Sequence, residues 1–163
     1  MHYFAYGSNL DVDQMRARCP DHAVVGLAVL SNHRIGFPLF SNAWASGVAG
    51  LIPSHGEKVW GVVYELSESD LAALDGHEGW KGPANQHNLY ERETVTVEVV
   101  RPDDGSVPRR LRAYTYYPHR ANPSPPSRRY LDTVLRGARH HHLPEDYVER
   151  LAAVEVVEEQ TES

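Results

Sequence analysis

From Ala23 to Val100, runs of β-branched and aromatic residues follow one another across short turn-forming stretches, with one helical segment among them. Strands in such succession pair as antiparallel neighbours. A parallel sheet would need a helical crossover between each pair of strands. Residues 2–6 read as a short buried strand, and residues 23–30 and 33–37 as two strands joined by Ser31-Asn32. Residues 47–53 and 58–66 flank His55-Gly56 as a hairpin, and residues 89–100 and 110–117 flank Asp103-Asp104-Gly105. Val95, Val97 and Val99 alternate with Thr94, Thr96 and Glu98, so that strand is buried on one face only. The predicted class is α+β: a curled antiparallel or mixed sheet, or a small barrel, flanked by helices.

The helices are short. Residues 10–18 fit one, closed by Pro20. Ser67 and Asp70 form an approximate capping box, with Leu66 and Leu71 at the staple positions. That helix is expected over 67–75, stopped by Gly76, with Asp75-Gly76-His77-Glu78-Gly79 as the loop leaving it. Four prolines within 118–126 predict an extended loop. Ser127 caps a helix to about residue 138, and Pro144 at N1 opens another to about Val154. With 163 residues and no internal repeat, the chain is expected to form a single domain over 1–154 with an acidic, flexible tail over 155–163.

Charge and cysteine content narrow the function classes. There are 22 acidic residues against 16 basic ones, a formal net charge of −6, and this excess repels phosphate and disfavours non-specific nucleic-acid binding. Cys19 is the single cysteine, so neither an intrachain disulfide nor a thiolate metal cluster can form. It precedes Pro20 at a helix end and reads as a packed thiol. The longest apolar run, Ala23 to Leu30, is far below the roughly 20 residues that span a bilayer. Nor does the N-terminus have the basic and apolar regions of a signal peptide. The expectation is a cytoplasmic protein that binds neither membrane nor nucleic acid.

Four places could carry chemistry. At Tyr6-Gly7-Ser8-Asn9-Leu10 a strand turns into a helix, where free N–H groups could hold an anion or an oxyanion. The local pattern alone favours a plain turn with Asn9 as cap. Glu78 lies between two glycines just past a helix, beside His77 and Trp80. Partial desolvation would raise its pKa and suit it to general acid/base work. A solvated loop glutamate beside a buried tryptophan fits the same residues equally well. His140-His141-His142 point in different directions at a helix end, which suits the helix dipole better than a metal. Arg128-Arg129-Tyr130 reads as a polar helix face with Tyr130 half buried.

Together these segments resemble the gamma-glutamylcyclotransferase-like family. The likeness rests on Tyr3-Phe4-Ala5-Tyr6-Gly7-Ser8-Asn9-Leu10 with Arg18 and Pro20, and on Val59-Trp60-Gly61-Val62-Val63-Tyr64-Glu65-Leu66. It continues through Leu71, Leu74-Asp75, Glu78-Gly79 and Tyr90-x-Arg92 to Ser124-Pro125-Pro126, Tyr130, Gly137-Ala138, Leu143-Pro144 and Tyr147. The resemblance implies cyclisation of a gamma-glutamyl amide to 5-oxoproline with release of an amine or amino acid, and implies no metal or organic cofactor. It implies Glu78 as the general acid/base. Substrate would be held by Tyr3, Phe4, Ala5, Tyr6, Gly7, Ser8, Asn9 and Leu10, with Tyr114 and Tyr130 as further pocket tyrosines. The expected partner is a small gamma-glutamyl molecule, and a monomer and a homodimer both remain open.

Two features depart from the family pattern. Lys81 to Asn88 is long and polar and is expected to reshape the leaving-group side of the pocket. The Asn9-Leu10 ending differs from the Ser-Leu form of the glutathione-degrading branch, so a gamma-glutamyl amino acid or amine is expected as substrate ahead of intact glutathione. Removal of a gamma-glutamyl protecting group from a biosynthetic intermediate, or non-catalytic binding of a small molecule, would use the same fold.

Overall fold

A computed structural model describes residues 1–102, 108–118 and 122–157. The Asp103-Asp104-Gly105 turn, residues 119–121 of the proline-rich loop and residues 158–163 of the tail lie outside the described residues. Five strands close into a barrel in the order β1-β3-β2-β4-β5. They are β1 (His2–Ala5), β2 (Ala23–Ser41), β3 (Ser46–Glu65), β4 (Tyr90–Pro102) and β5 (Arg110–Pro118). All pairs are antiparallel except β1 with β5, which run parallel at Tyr3 and Tyr114 and close the barrel. The α+β class and the barrel form agree with the sequence reading.

Seven expected strands became five because two expected turns are irregularities within longer strands. Ser31-Asn32 interrupts β2, and residues 54–57 bulge from β3 directly opposite, since Ser31 pairs with Lys58 and His33 with Pro53. Asn32 (φ 60°) and Gly56 (φ 81°) take up the bend, and Asn32 Oδ1 accepts from the Gly56 N–H at 3.1 Å. Residues 47–53 and 58–65 therefore both pair with β2 and not with each other. The true hairpin turn is residues 42–45, where Ser41 faces Ser46.

The expected helix over 10–18 is a 3-10 turn at Ser8–Leu10 followed by helix α1 (Val12–Arg18). Asp11 caps α1 by accepting from the Gln14 N–H at 3.1 Å, so the cap is Asp11 and not Asn9. Helix α2 (Glu68–His77) begins at Ser67 as expected, its hydroxyl accepting from the Asp70 N–H at 3.1 Å. Helices α3 (Arg128–His140) and α4 (Glu145–Ala152) follow, with Pro144 at the N-cap of α4 instead of N1.

The core fills the barrel and the gap beneath α3. Phe4, Leu10, Met15, Leu39, Leu51, Leu74 and Leu131 are fully buried. Helix α3 presses onto the 3-10 turn at Gly137, where an added Cβ would lie 2.2 Å from the Leu10 carbonyl carbon. Cys19 is buried, and desolvation with the nearby Asp70 charge pushes its thiol up to about 12, an unreactive packed side chain. Among the described residues no helix is long and apolar enough to cross a membrane.

Candidate active site

The end of α2 positions the central carboxylate. Gly76 stays within the helix, which runs on to His77 and makes Glu78 its C-cap. Gly79 (φ 68°) then reverses the chain. Its N–H donates to Gly76 O at 3.2 Å and the Trp80 N–H to Asp75 O at 2.9 Å, the paired bonds of a Schellman turn. The stop glycine is thus Gly79, and Glu78 is held by helical backbone instead of lying in a loop. The polar segment after it closes on itself, because Asn88 accepts from the Lys81 N–H at 2.6 Å and donates to Gly82 O at 2.8 Å. That closure returns Leu89 to the pocket, with its N–H on Gly79 O at 3.0 Å.

The turn after β1 lies opposite. Asn9 Nδ2 donates to Glu78 Oε1 at 2.9 Å and to the Tyr3 hydroxyl at 3.0 Å. Asn9 Oδ1 accepts from Arg18 and from Gln14, each at 3.0 Å. Burial raises the pKa of Glu78 from its ordinary 4.5 to about 6. The Arg18 cation and the Asn9 bond oppose that rise, while Asp75 adds to it. Such a carboxyl exchanges its proton near neutral pH. Burial also lowers the pKa of His77 at the pocket rim, with the Arg18 charge acting in the same direction.

Glu78, Tyr3, Tyr6, Gly7, Ser8, Asn9 and Tyr130 all line one cavity. The Tyr6 hydroxyl donates to Tyr116 O at 2.6 Å, and the Tyr130 hydroxyl accepts from the Ala49 N–H at 3.0 Å. Burial keeps the phenols of Tyr3, Tyr6 and Tyr130 protonated. The three other expected binding residues of the N-terminal segment, Phe4, Ala5 and Leu10, are buried in the core and do not line the cavity. Tyr114 also lies off it, its ring stacked on the Arg92 guanidinium at 4.8 Å. Two backbone donors of the turn are used internally: the Leu10 N–H binds Gly7 O at 3.1 Å and the Asp11 N–H binds Ser8 O at 3.0 Å.

Several lining residues were not singled out as site residues in the sequence, Tyr90 being visible only as part of the family pattern. Tyr90 and Tyr116 come from β4 and β5, Ser41 from the end of β2 and Trp44 from the turn that follows it. The Tyr90 hydroxyl donates to Ala49 O at 2.6 Å, and Trp44 packs edge-on against Tyr130 with ring centres 5.0 Å apart. Arg18 was visible only as part of the family pattern. No group of three or more histidine, cysteine, aspartate or glutamate side chains is arranged to hold a metal among the described residues.

The sequence profile of the AIG2-like family matches residues 58–151. The gamma-glutamylcyclotransferases of Homo sapiens and Mus musculus are 33% and 32% identical to this chain over 157 and 158 residues, spanning 94% of this chain and 78% of each relative. A solved structure of a gamma-glutamyl cyclotransferase superposes with a TM-score of 0.85 at 28% identity, covering 99% of this chain and 92% of the other. On these likenesses the chain belongs to the gamma-glutamylcyclotransferase, or AIG2-like, family and is an enzyme of that type.

Proposed function

We propose that this enzyme cyclises a small gamma-glutamyl amino acid or amine to 5-oxoproline, with Glu78 carrying the proton. The observation that supports the reading is the pairing of Glu78 with the Gly7–Asn9 turn across a tyrosine-lined cavity, the carboxyl raised to about 6 and one of its oxygens on Asn9 at 2.9 Å.

The chemistry needs no nucleophile from the protein. The substrate's alpha-amine attacks its own gamma-carbonyl carbon, forming the ring C–N bond and a tetrahedral oxyanion. Glu78 as carboxylate takes the proton that the amine loses. It then returns that proton to the departing nitrogen as the original amide C–N bond breaks, which leaves 5-oxoproline and a free amine. One carboxyl serving both transfers contributes roughly 10²–10⁴-fold. A midpoint of about 6 leaves it ionised at neutral pH yet basic enough to hold the proton between the two steps.

The alpha-carboxylate and the developing oxyanion need donors, and the Ser8 hydroxyl supplies them together with the Tyr3 and Tyr130 phenols, which accept from protein N–H groups and keep their own hydrogens to give. Holding the flexible gamma-glutamyl chain folded, amine against carbonyl, supplies much of the remaining rate. The reaction calls for no metal or organic cofactor, and we place it in the cytoplasm with no nucleic-acid or membrane partner.

A panel of gamma-glutamyl amino acids, gamma-glutamyl amines and glutathione, followed by mass spectrometry, tests the proposal. The expected result is 5-oxoproline from at least one amino acid or amine derivative, and its loss in Glu78→Gln with the fold intact. Full turnover in that variant would remove Glu78 from the mechanism. Affinity for 5-oxoproline with no turnover of any panel member would make the protein a binding domain.

A further inference from the structure

Every polar side chain of the turn opposite Glu78 is tied to one glutamine outside the cavity. Gln14 stands at the third position of α1, where a glutamine ordinarily reaches back to the N-cap N–H. Here the Asp11 N–H is already bound to Ser8 O at 3.0 Å. The Gln14 amide turns instead to the pocket loop, with Nε2 2.7 Å from Ser8 Oγ and 3.0 Å from Asn9 Oδ1.

The direction of each bond follows from the one member that can only donate. A guanidinium has no acceptor, so Arg18 at 3.0 Å requires Asn9 to present its oxygen. The Asn9 nitrogen must then face Glu78 and Tyr3, as the 2.9 and 3.0 Å distances place it. Facing an oxygen, Gln14 must in turn present its own nitrogen, whose two hydrogens go to Asn9 Oδ1 and Ser8 Oγ. Ser8 is therefore an acceptor from Gln14, and its hydroxyl hydrogen is left to donate. Ser8 is buried and lines the cavity, and no described group accepts from its hydroxyl.

We infer that Gln14 is a positioning residue that sets the polarity of the pocket, turning the Ser8 hydroxyl into a donor toward an anionic substrate group and, with Arg18, bracing the Asn9 amide whose nitrogen lies on Glu78. The inference rests on the proposed reaction for the role of Ser8, while the orientation of Asn9 stands without it. Gln14 touches neither substrate nor Glu78. It acts through the two side chains that do.

Gln14→Glu tests this with almost no change of shape, because a carboxylate can only accept. Ser8 then donates to residue 14, and the new carboxylate repels the Asn9 oxygen that Arg18 holds, displacing that amide and weakening its bond to Glu78. Ala17→Glu is the charge control: it places a carboxylate at an exposed position of the same helix, three residues on, whose native side chain bonds neither Ser8 nor Asn9. Two readouts are compared: KM for the best panel substrate, and the Glu78 carboxyl titration followed by carbon-13 NMR.

Gln14→Glu is expected to raise KM about tenfold or more, the scale of a lost hydrogen bond to a charged group, and to move the Glu78 midpoint up. Ala17→Glu is expected to change neither. In a Ser8→Ala background the KM effect of Gln14→Glu is expected to shrink severalfold. The inference is overturned if Gln14→Glu behaves like Ala17→Glu, or if its KM effect persists undiminished without the Ser8 hydroxyl. If the unmodified enzyme turns over no panel member, the proposed reaction falls and the titration judges Gln14: a midpoint no different from that of Ala17→Glu overturns the inference.

Discussion

The Tyr116 hydroxyl donates to Asp75 Oδ1 at 2.6 Å, tying a wall of the pocket to the helix that presents Glu78 one turn later. Asp75 Oδ2 accepts from Arg92 at 2.8 Å, and that guanidinium lies over the rings of Trp80 (4.2 Å) and Tyr114 (4.8 Å). Helix α2, strands β4 and β5 and the loop after Gly79 therefore meet at one carboxylate. Tyr114, lying off the cavity, packs against this clamp, while Tyr116 supplies both a pocket surface and an anchor.

Removing that anchor is expected to cost stability more than chemistry. Tyr116→Phe keeps the ring against Tyr3 but leaves Asp75 with Arg92 alone. A hydrogen bond to a charged group is worth about 1.5–3 kcal/mol, and each kcal/mol lowers Tm by roughly 2–4 °C in a chain of this size. Thermal unfolding checks the first expectation. Turnover with the best panel substrate checks the second, with a loss well below that of Glu78→Gln.

The pH profile is expected to report Glu78. In the proposed reaction its carboxyl must be ionised to accept the amine proton, so kcat/KM is expected to fall as pH drops through about 6, approaching tenfold per pH unit below it. Arg18 holds the midpoint down and Asp75 holds it up. Arg18→Met is therefore expected to move the acid limb to higher pH and Asp75→Asn to lower pH. Limbs unmoved in both variants would assign the acid limb to another group.

The same shift makes stability depend on pH. Because the folded chain binds the Glu78 proton more tightly than the unfolded chain, this group's contribution is fully present below about pH 4.5 and lost as pH rises through about 6. A rise of this size corresponds to about 2 kcal/mol. Glu78→Gln has no such proton to lose. Its stability relative to the unmodified protein is expected to rise by up to about 2 kcal/mol between pH 4 and pH 7.5, measured by denaturant unfolding at each pH.

Which parts of this were legible in the sequence follows from the range of the interactions concerned. The start of α2 was legible because Ser67 and Asp70 act within one turn. Its end was misread at Gly76 because two glycines stand three residues apart, and only the backbone bond from Trp80 to Asp75 O distinguishes the one that stops the helix. Asn32 and Gly56 carry the same positive φ in a facing pair of bulges that they would carry in two hairpin turns, so the pairing partner decides between them. Glu78 and the Gly7–Asn9 turn stood out through the family resemblance, since the local pattern favours a plain turn at Asn9 and suits Glu78 equally to a solvated loop. Tyr90, Tyr116 and Trp44 were not legible as site residues, since strand register and barrel closure bring them to the cavity and a one-dimensional pattern carries neither.

Two helical glycines make a final pair of opposed predictions. At Gly137 an added Cβ would lie 2.2 Å from the Leu10 carbonyl carbon and 2.4 Å from the Asp11 nitrogen. Both are backbone atoms, so no side chain can rotate away to relieve the contact, and α3 must back off the 3-10 turn. Gly137→Ala is expected to destabilise by about 1–3 kcal/mol, the range for overpacking, and to lower turnover, because the displaced turn carries Ser8 and Asn9. At Gly76, in the helical interior of α2, nothing lies within 4 Å of the same added atom. Gly76→Ala is expected to stabilise by roughly 0.5–1 kcal/mol through reduced freedom of the unfolded chain, with turnover unchanged. Denaturant unfolding and turnover of the two variants side by side check both. A Gly137→Ala protein as stable and as active as Gly76→Ala would mean that α3 does not hold the turn carrying Ser8 and Asn9 in place.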